Sequence, residues 1–269
     1  MIDKIVSLKK YLSLSLLASM LMAPLVSHAA SLTTYRIYLD DTNRTESFIV
    51  FSSRSEPEQC SLDFKYFNFD DAGEMSLHKD AVLPINNAES WVRYSPRSFV
   101  LQTGRPQTIR FSMRRKPNSD AQEYRSYISI SCEDVADNAD AIKDQPTPKD
   151  GVSVSITPKL VQNVPLIIRT GPLDAQASFS DIVISGNKIS AKILRSGKRS
   201  IFGRLALINR KTDEEIAFTD SISVYPETSN YAFEFSTVNK DNIPVEEMML
   251  RFTEDENYGG SLNFEKNVK

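Results

Sequence analysis

The sequence predicts an all-β protein, folded as two immunoglobulin-like β-sandwich domains in tandem. Short runs rich in Val, Ile, Phe and Tyr recur along the chain, closed off about every ten residues by Gly, Pro, Asn, Asp or Ser. No segment holds a 3.6-residue apolar period over a helical length. The runs fall into two successive series of about seven, each near the ~100 residues of an immunoglobulin-like domain.

Residues 1–29 stand outside this pattern. Lys4, Lys9 and Lys10 precede the apolar run YLSLSLLASMLMAPLV, and SHA ends at Ala29 with small residues placed for cleavage. This reads as a cleavable signal peptide. An uncleaved membrane anchor is the alternative, and the short apolar run with Pro24 argues against it. No other run approaches the ~18 apolar residues that cross a bilayer, so the mature chain is expected to be exported without a membrane span. Removing three Lys and one Asp with the signal takes the formal charge from −3 to −5. No basic excess points to nucleic acid.

The first series comprises TTYRIYLD (33–40), SFIVFSS (47–53), CSLDFKYFNF (60–69), WVRYSP (91–96), FVLQTG (99–104), QTIRFSMRR (107–115) and YRSYISISC (124–132). The second comprises ASFSDIVISG (177–186), KISAKILRS (188–196), SIFGRLALINR (200–210), EEIAFTD (214–220), YAFEFST (231–237), EMMLRFTED (247–255) and SLNFEK (261–266). AESWVRY and EDVADNADAIKD come nearest to a helical pattern. The latter is polar on all sides, runs into QPTPKDG and reads as a solvated acidic loop. TGPLD supplies turn residues, so the boundary is expected near 170–174, giving domains 30–169 and 170–269.

Between the two series lies VSVSITPKLVQNVPLIIR (152–169). Its even positions are apolar almost throughout, the period of a half-buried strand. The run is about three times the usual 5–6 residues of a strand. It also holds Pro158 and Pro165, which central strands avoid.

Cys60 and Cys132 sit beside strand-like runs. An even count in an oxidising compartment suggests one disulfide within the first domain; two buried thiols are the alternative. His28 leaves with the signal, so His78 alone remains, in the polar segment GEMSLHKDA. It reads as a loop or edge-strand residue rather than the base of a Ser-His-Asp arrangement. Clustered His and Cys for zinc are absent, and the nine glycines are scattered rather than gathered in a phosphate loop. Asp40/Asp41 and Asp70/Asp71 fall at strand-to-turn junctions, where Asp serves turn geometry. NRT at Asn43 fits a glycosylation acceptor formally, relevant only to a eukaryotic secretory route. The pattern argues against an enzyme, a metal site or a cofactor, and for a binding protein.

SPRSFVLQTGRPQTIRFSMRRKPNSDAQEYRSYISI (95–130) resembles the most recognisable block of the periplasmic pilus-assembly chaperones (PapD-like). It carries Ser95-Pro96, Leu101, Thr103-Gly104, Gln107-Thr108-Ile109-Arg110 and Glu123-Tyr124-Arg125-Ser126 in the family's order. YRIYLDD (35–41) is similar to the family's first strand, VPLIIRTGPL (164–173) to the end of its long G1 strand, and NYGGSLNF (257–264) to its last turn and strand. RRK with EYRS looks closer to a divergent branch. The resemblance spans the mature chain and implies two sandwiches set boomerang-like, in the periplasm. It also implies fimbrial or pilus subunits and an outer-membrane usher as partners.

The resemblance further implies a mechanism. The chaperone completes a subunit's unfinished immunoglobulin-like fold with its own G1 strand, a mode of strand addition known for such chaperones. The donor residues would be Val152, Val154, Ile156, Pro158 and Leu160. The family's basic anchor for the subunit's C-terminal carboxylate maps onto Arg36, while its companion Lys falls on Pro165. A surface Arg on an edge strand is the alternative reading of Arg36. The family's hinge ion pair maps onto Arg169 and Glu123, its second acid aligning with Asn257 beside Glu256. A secreted or surface two-domain adhesin that binds through its loops is the competing function.

Overall fold

The computed structural model describes residues 30–114, 120–135, 160–236 and 243–268, which form strands and turns with no α-helix among them. The first sandwich pairs two sheets. One runs, in spatial order, β1 (Ala30–Leu32), β3 (Thr45–Ser52), β9 (Gln107–Met113) and β7 (Val92–Ser95). The other runs β2 (Ile37–Leu39), β11 (Leu160–Thr170), β10 (Gln122–Asp134), β4 (Glu58–Lys65) and β8 (Ser98–Leu101). The second sandwich pairs β12 (Ala175–Ser185), β13 (Lys188–Gly197) and β16 (Asn230–Ser236) with β15 (Glu215–Val224), β14 (Ile201–Asn209), β17 (Met248–Glu254) and β18 (Asn263–Asn267). A separate hairpin is formed by β5 (Phe67–Phe69) and β6 (Met75–Leu77).

Alternation builds both cores. In β3 and β9, Phe48, Val50, Ile109 and Phe111 turn inward. They meet Ile37, Leu62, Ile128, Leu166 and Ile168 from the facing sheet. The second core gathers Phe179, Ile189, Ile193, Leu205, Leu207, Leu250 and Phe252. Each such side chain contributes about 1.5–3 kcal/mol on burial. The disulfide Cys60–Cys132 joins β4 to β10 at directly paired positions, with Cα atoms 4.1 Å apart. Its reach is confined to the first sandwich.

The structure redraws several elements. The run expected over 33–40 is broken: β1 pairs with β3, whereas β2 joins the opposite sheet. Thr34 makes that switch, its Oγ1 donating to the Arg36 carbonyl at 2.8 Å. The run expected over 60–69 divides at Tyr66, whose ring is buried and whose hydroxyl donates to Asn86 Oδ1 at 2.8 Å. Within GEMSLHKDA, Met75–Leu77 is a strand. AESWVRY opens with a single 3₁₀ turn, Glu89–Trp91, before β7.

Candidate functional site

β11 is the element that the overlong apolar run forms where it is described. It pairs with β10 over eleven positions, from Leu160 opposite Cys132 to Thr170 opposite Gln122. Its outer side is covered only at Leu166, Ile167 and Ile168, by the parallel strand β2. From Leu160 to Pro165 the outer edge carries no strand among the described residues. Such an edge is an open template for another chain. Pro165 stands opposite Tyr127. A proline fits there only if its missing N–H would have pointed to the outer edge. Val164, Leu166 and Ile168 face the core, and Leu160 shares their parity along the strand. By count along the sequence, Val152, Val154, Ile156 and Pro158 continue that register; these four lie outside the described residues.

The open edge borders a groove of about 290 Å³, lined by Leu32, Thr34, Tyr35, Gln162, Asn163 and Val164. Tyr35 also lines a second groove of about 420 Å³ on the neighbouring sandwich, with Phe202, Arg204, Asp220 and Asp255. Arg36, next in sequence, is 2 % exposed, so it is not the surface Arg of an edge strand. Its guanidinium lies 4.3 Å from the Phe202 ring centroid, and one terminal nitrogen donates to Ser223 Oγ at 3.3 Å. Its Nε has no hydrogen-bond partner among the described residues. No carboxylate of the described residues forms a salt bridge with it. A buried cation held by one hydroxyl and an aromatic face is only partly compensated.

Where the sandwiches meet, Arg169 Nε donates to Glu123 Oε2 at 2.9 Å. The two residues are cross-strand partners on β11 and β10, so this ion pair lies within the first sandwich, not across the hinge. Hydrogen bonds make the crossing. Arg169 donates to the carbonyls of Gly259 (2.8 Å) and Ser200 (2.9 Å). Glu123 accepts from the Ser200 amide (3.0 Å) and hydroxyl (2.9 Å). Gly259 has φ +68°, and a Cβ there would collide with the Tyr38 hydroxyl. Asn257, with which the family's second acid aligns, donates its amide and side chain to Asp255, in a local turn. Burial pushes the Tyr38 phenol up to about 12, against the pull of the neighbouring Arg169 guanidinium.

Two further ion pairs escaped sequence reasoning, one buried on both sides and one half-exposed at its acid. Arg199 grips Glu254 in a fork at 2.6 and 2.9 Å inside the second sandwich. Arg125 of β10 reaches Glu227 of the second sandwich at 2.9 and 3.1 Å, and this is an ion pair that crosses the interface. Burial favours the neutral acid in both. The Arg125 guanidinium nevertheless holds the Glu227 carboxyl below the usual range, and Arg199 with the Ser261 and Leu262 amides does so for Glu254. Arg125 was visible in EYRS, two residues after Glu123; Glu227, in YPETSN, reads as a turn residue.

The remaining candidates have structural partners. His78 faces Asn68 Oδ1 at 3.2 Å and the Val82 carbonyl at 3.0 Å. Asp40 Oδ1 accepts from the Thr42 and Asn43 amides, and Asp70 Oδ1 from those of Ala72 and Glu74. Asp41 accepts from the Gly171 amide at 2.8 Å.

No family model matches the chain, and no curated protein does. Among solved structures the chain is similar to the YadV chaperone: 8% identity, 89% of this chain and 99% of that chain covered, TM-score 0.47. It is also similar to a chain of the CsuC–CsuE chaperone–tip adhesion subunit pre-assembly complex, from archaic chaperone-usher Csu pili of Acinetobacter baumannii. There the identity is 10%, the coverage 88% and 97%, and the TM-score 0.45. For the Salmonella enterica SafA pilin in complex with the SafB chaperone the values are 13%, 90% and 97%, and 0.44.

Proposed function

We propose that this protein is a periplasmic chaperone of pilus or fimbrial subunits, exported by residues 1–29, that passes its clients to an outer-membrane usher. In this reading residues 30–169 hold the client and 170–269 form the second wall of the cleft. The strand 152–160 adds to the client's incomplete sheet and presents Val152, Val154, Ile156, Pro158 and Leu160 to its core. The observation that supports the reading is the outer edge of β11 from Leu160 to Pro165, which carries no strand among the described residues and is preceded in sequence by an alternating apolar run. Four of them buried in a client, at about 1.5–3 kcal/mol each, give a gross gain near 6–12 kcal/mol. Ordering and association consume much of it. Reversible binding follows, as hand-over requires. By the same alternation Pro158, seven residues before Pro165, turns its missing N–H away from the outer edge, so a ladder with the client loses no bond there.

Arg36 supplies the cleft's anion site. It acts without a second cation at Pro165, and a carboxylate reaching it displaces the Tyr35 ring, which is 57 % exposed above Phe202. The test is the double variant Ile156→Glu/Leu160→Glu, produced with the pilus subunits of the same cell. The variant is expected to fold normally while the subunits are lost to periplasmic proteolysis. Subunits that persist at wild-type levels would overturn the reading.

A further inference from the structure

The β5–β6 hairpin belongs to the first sandwich by sequence, yet its tip is bonded to the second. Asp70 closes the tip on itself, its Oδ1 accepting from the Ala72 and Glu74 amides at 2.9 Å each. Beyond the tip, the Asp70 carbonyl accepts from Thr228 Oγ1 at 2.9 Å, and the Asp71 carbonyl from the Asn230 amide at 3.0 Å. The Asp71 carboxylate takes the Ser229 amide and hydroxyl on one oxygen and Asn230 Nδ2 on the other. Gly73, at φ +93°, lies flat against Tyr231, where any Cβ would strike the ring.

The base of the hairpin is tied to the same loop. Arg125 donates to the Phe67 carbonyl at 3.0 Å as well as to Glu227, and its guanidinium lies 4.2 Å from the Tyr225 ring centroid. Tyr225 packs against Phe69 at 4.5 Å, and its hydroxyl meets that of Tyr127 at 3.0 Å. The receiving loop is stiff from behind, because Arg195 donates to the carbonyls of Pro226 and Thr228. This loop continues β15, which carries Ser223, the hydroxyl that holds Arg36.

We propose that the β5–β6 hairpin, with Arg125, is an interdomain latch that fixes the loop 225–230 and thereby sets Ser223 opposite Arg36. Arg169, Glu123 and their bonds to Ser200 and Gly259 are one attachment between the sandwiches, and the hairpin is a second. One attachment leaves a rotation free; two remove it. Arg125, Glu227 and Asp71 are positioning residues for the cleft. The consequence for client binding rests on the function proposed above, whereas the latch itself does not.

The experiment is a distance distribution across the full-length mature protein, by electron–electron double resonance between spin labels on exposed positions, Ser47→Cys and Asn187→Cys. Glu227→Gln and the double variant Asp71→Ala/Glu227→Gln are compared with Asp220→Ala, which removes a carboxylate paired within the second sandwich. The latch predicts a broadened distribution for Glu227→Gln, a broader one for the double variant, and the parental distribution for Asp220→Ala. Should the double variant lose its fold by circular dichroism, Glu227→Gln decides alone, since it keeps shape at a half-exposed position. A parental distribution in Glu227→Gln and in a folded double variant would overturn the latch. Subunit capture by the same variants is read separately: a broadened distribution with undiminished capture would overturn the link from latch to cleft.

Discussion

Replacing Arg36 by Met should separate stability from binding, leaving the first nearly unchanged and weakening the second. In the client-free protein the guanidinium is buried with a single hydroxyl acceptor and an orphaned Nε. That orphan costs about 1–3 kcal/mol. Against it stand the contact with Phe202 at 4.3 Å, about 0.5–2 kcal/mol, and one hydrogen bond to Ser223, about 0.5–1.5 kcal/mol. Met keeps the apolar stem and removes the charge, so the two sides nearly cancel and the client-free protein should stay within about 2 kcal/mol of the parent. In melting temperature this is a shift of no more than roughly 4–8 °C, at about 2–4 °C per kcal/mol. With a subunit carboxylate seated on it, the same guanidinium makes a charged hydrogen bond worth about 1.5–3 kcal/mol, so affinity should fall roughly 10- to 150-fold. Calorimetry of the client-free protein and titration with a purified subunit, with and without its terminal carboxylate, measure the two effects. A variant that loses more than about 3 kcal/mol of stability while binding the subunit as before would show that Arg36 is a structural cation.

Arg169→Met strips Glu123 of its cation while leaving the carboxylate buried, and should cost about 3–5 kcal/mol, read as a lowered denaturant midpoint. Glu227 and Glu254 have folded-state pKa values below their ordinary 4.5. Their contribution is therefore present above that value and fades as pH falls through the folded values. Urea midpoints should fall below pH 4.5 in the wild type, and fall less in Glu254→Gln once its neutral-pH loss is subtracted. Joint replacement of Cys60 and Cys132 by Ser opens a loop of 72 residues, which should cost about 4 kcal/mol. Residue-resolved hydrogen exchange should place that loss in the first sandwich and leave β12 to β18 protected.

The all-β class and nearly every strand were legible because half-buried strands write their burial as alternation: β3, β4, β9 and β13 each show inward apolar residues at every second position. Boundaries were less so. Nothing in TTYRIYLD marks the change of sheet at Thr34, which depends on a side-chain hydrogen bond and on two different neighbours for β1 and β2. The interface between sandwiches was the least legible. Glu227 and Ser200 come from turns whose residue types serve turn geometry equally well, and Asp71 was read as a turn residue although its carboxylate bridges to Ser229 and Asn230. Arg36 was found only through the resemblance; its burial could not be read from a strand of alternating pattern, because Phe202 of the other sandwich provides it.

Hydrogen exchange of the backbone amides from 152 to 165, measured on the free protein and on its complex with a purified pilus subunit, bears most directly on strand donation. If the strand joins the client's sheet, the outer-edge amides of Val161 and Asn163, and of the odd positions before them back to 153, become protected on binding, whereas those of Leu160 and Gln162 already face β10. A stable complex in which the outer-edge amides exchange as fast as in the free protein would contradict it.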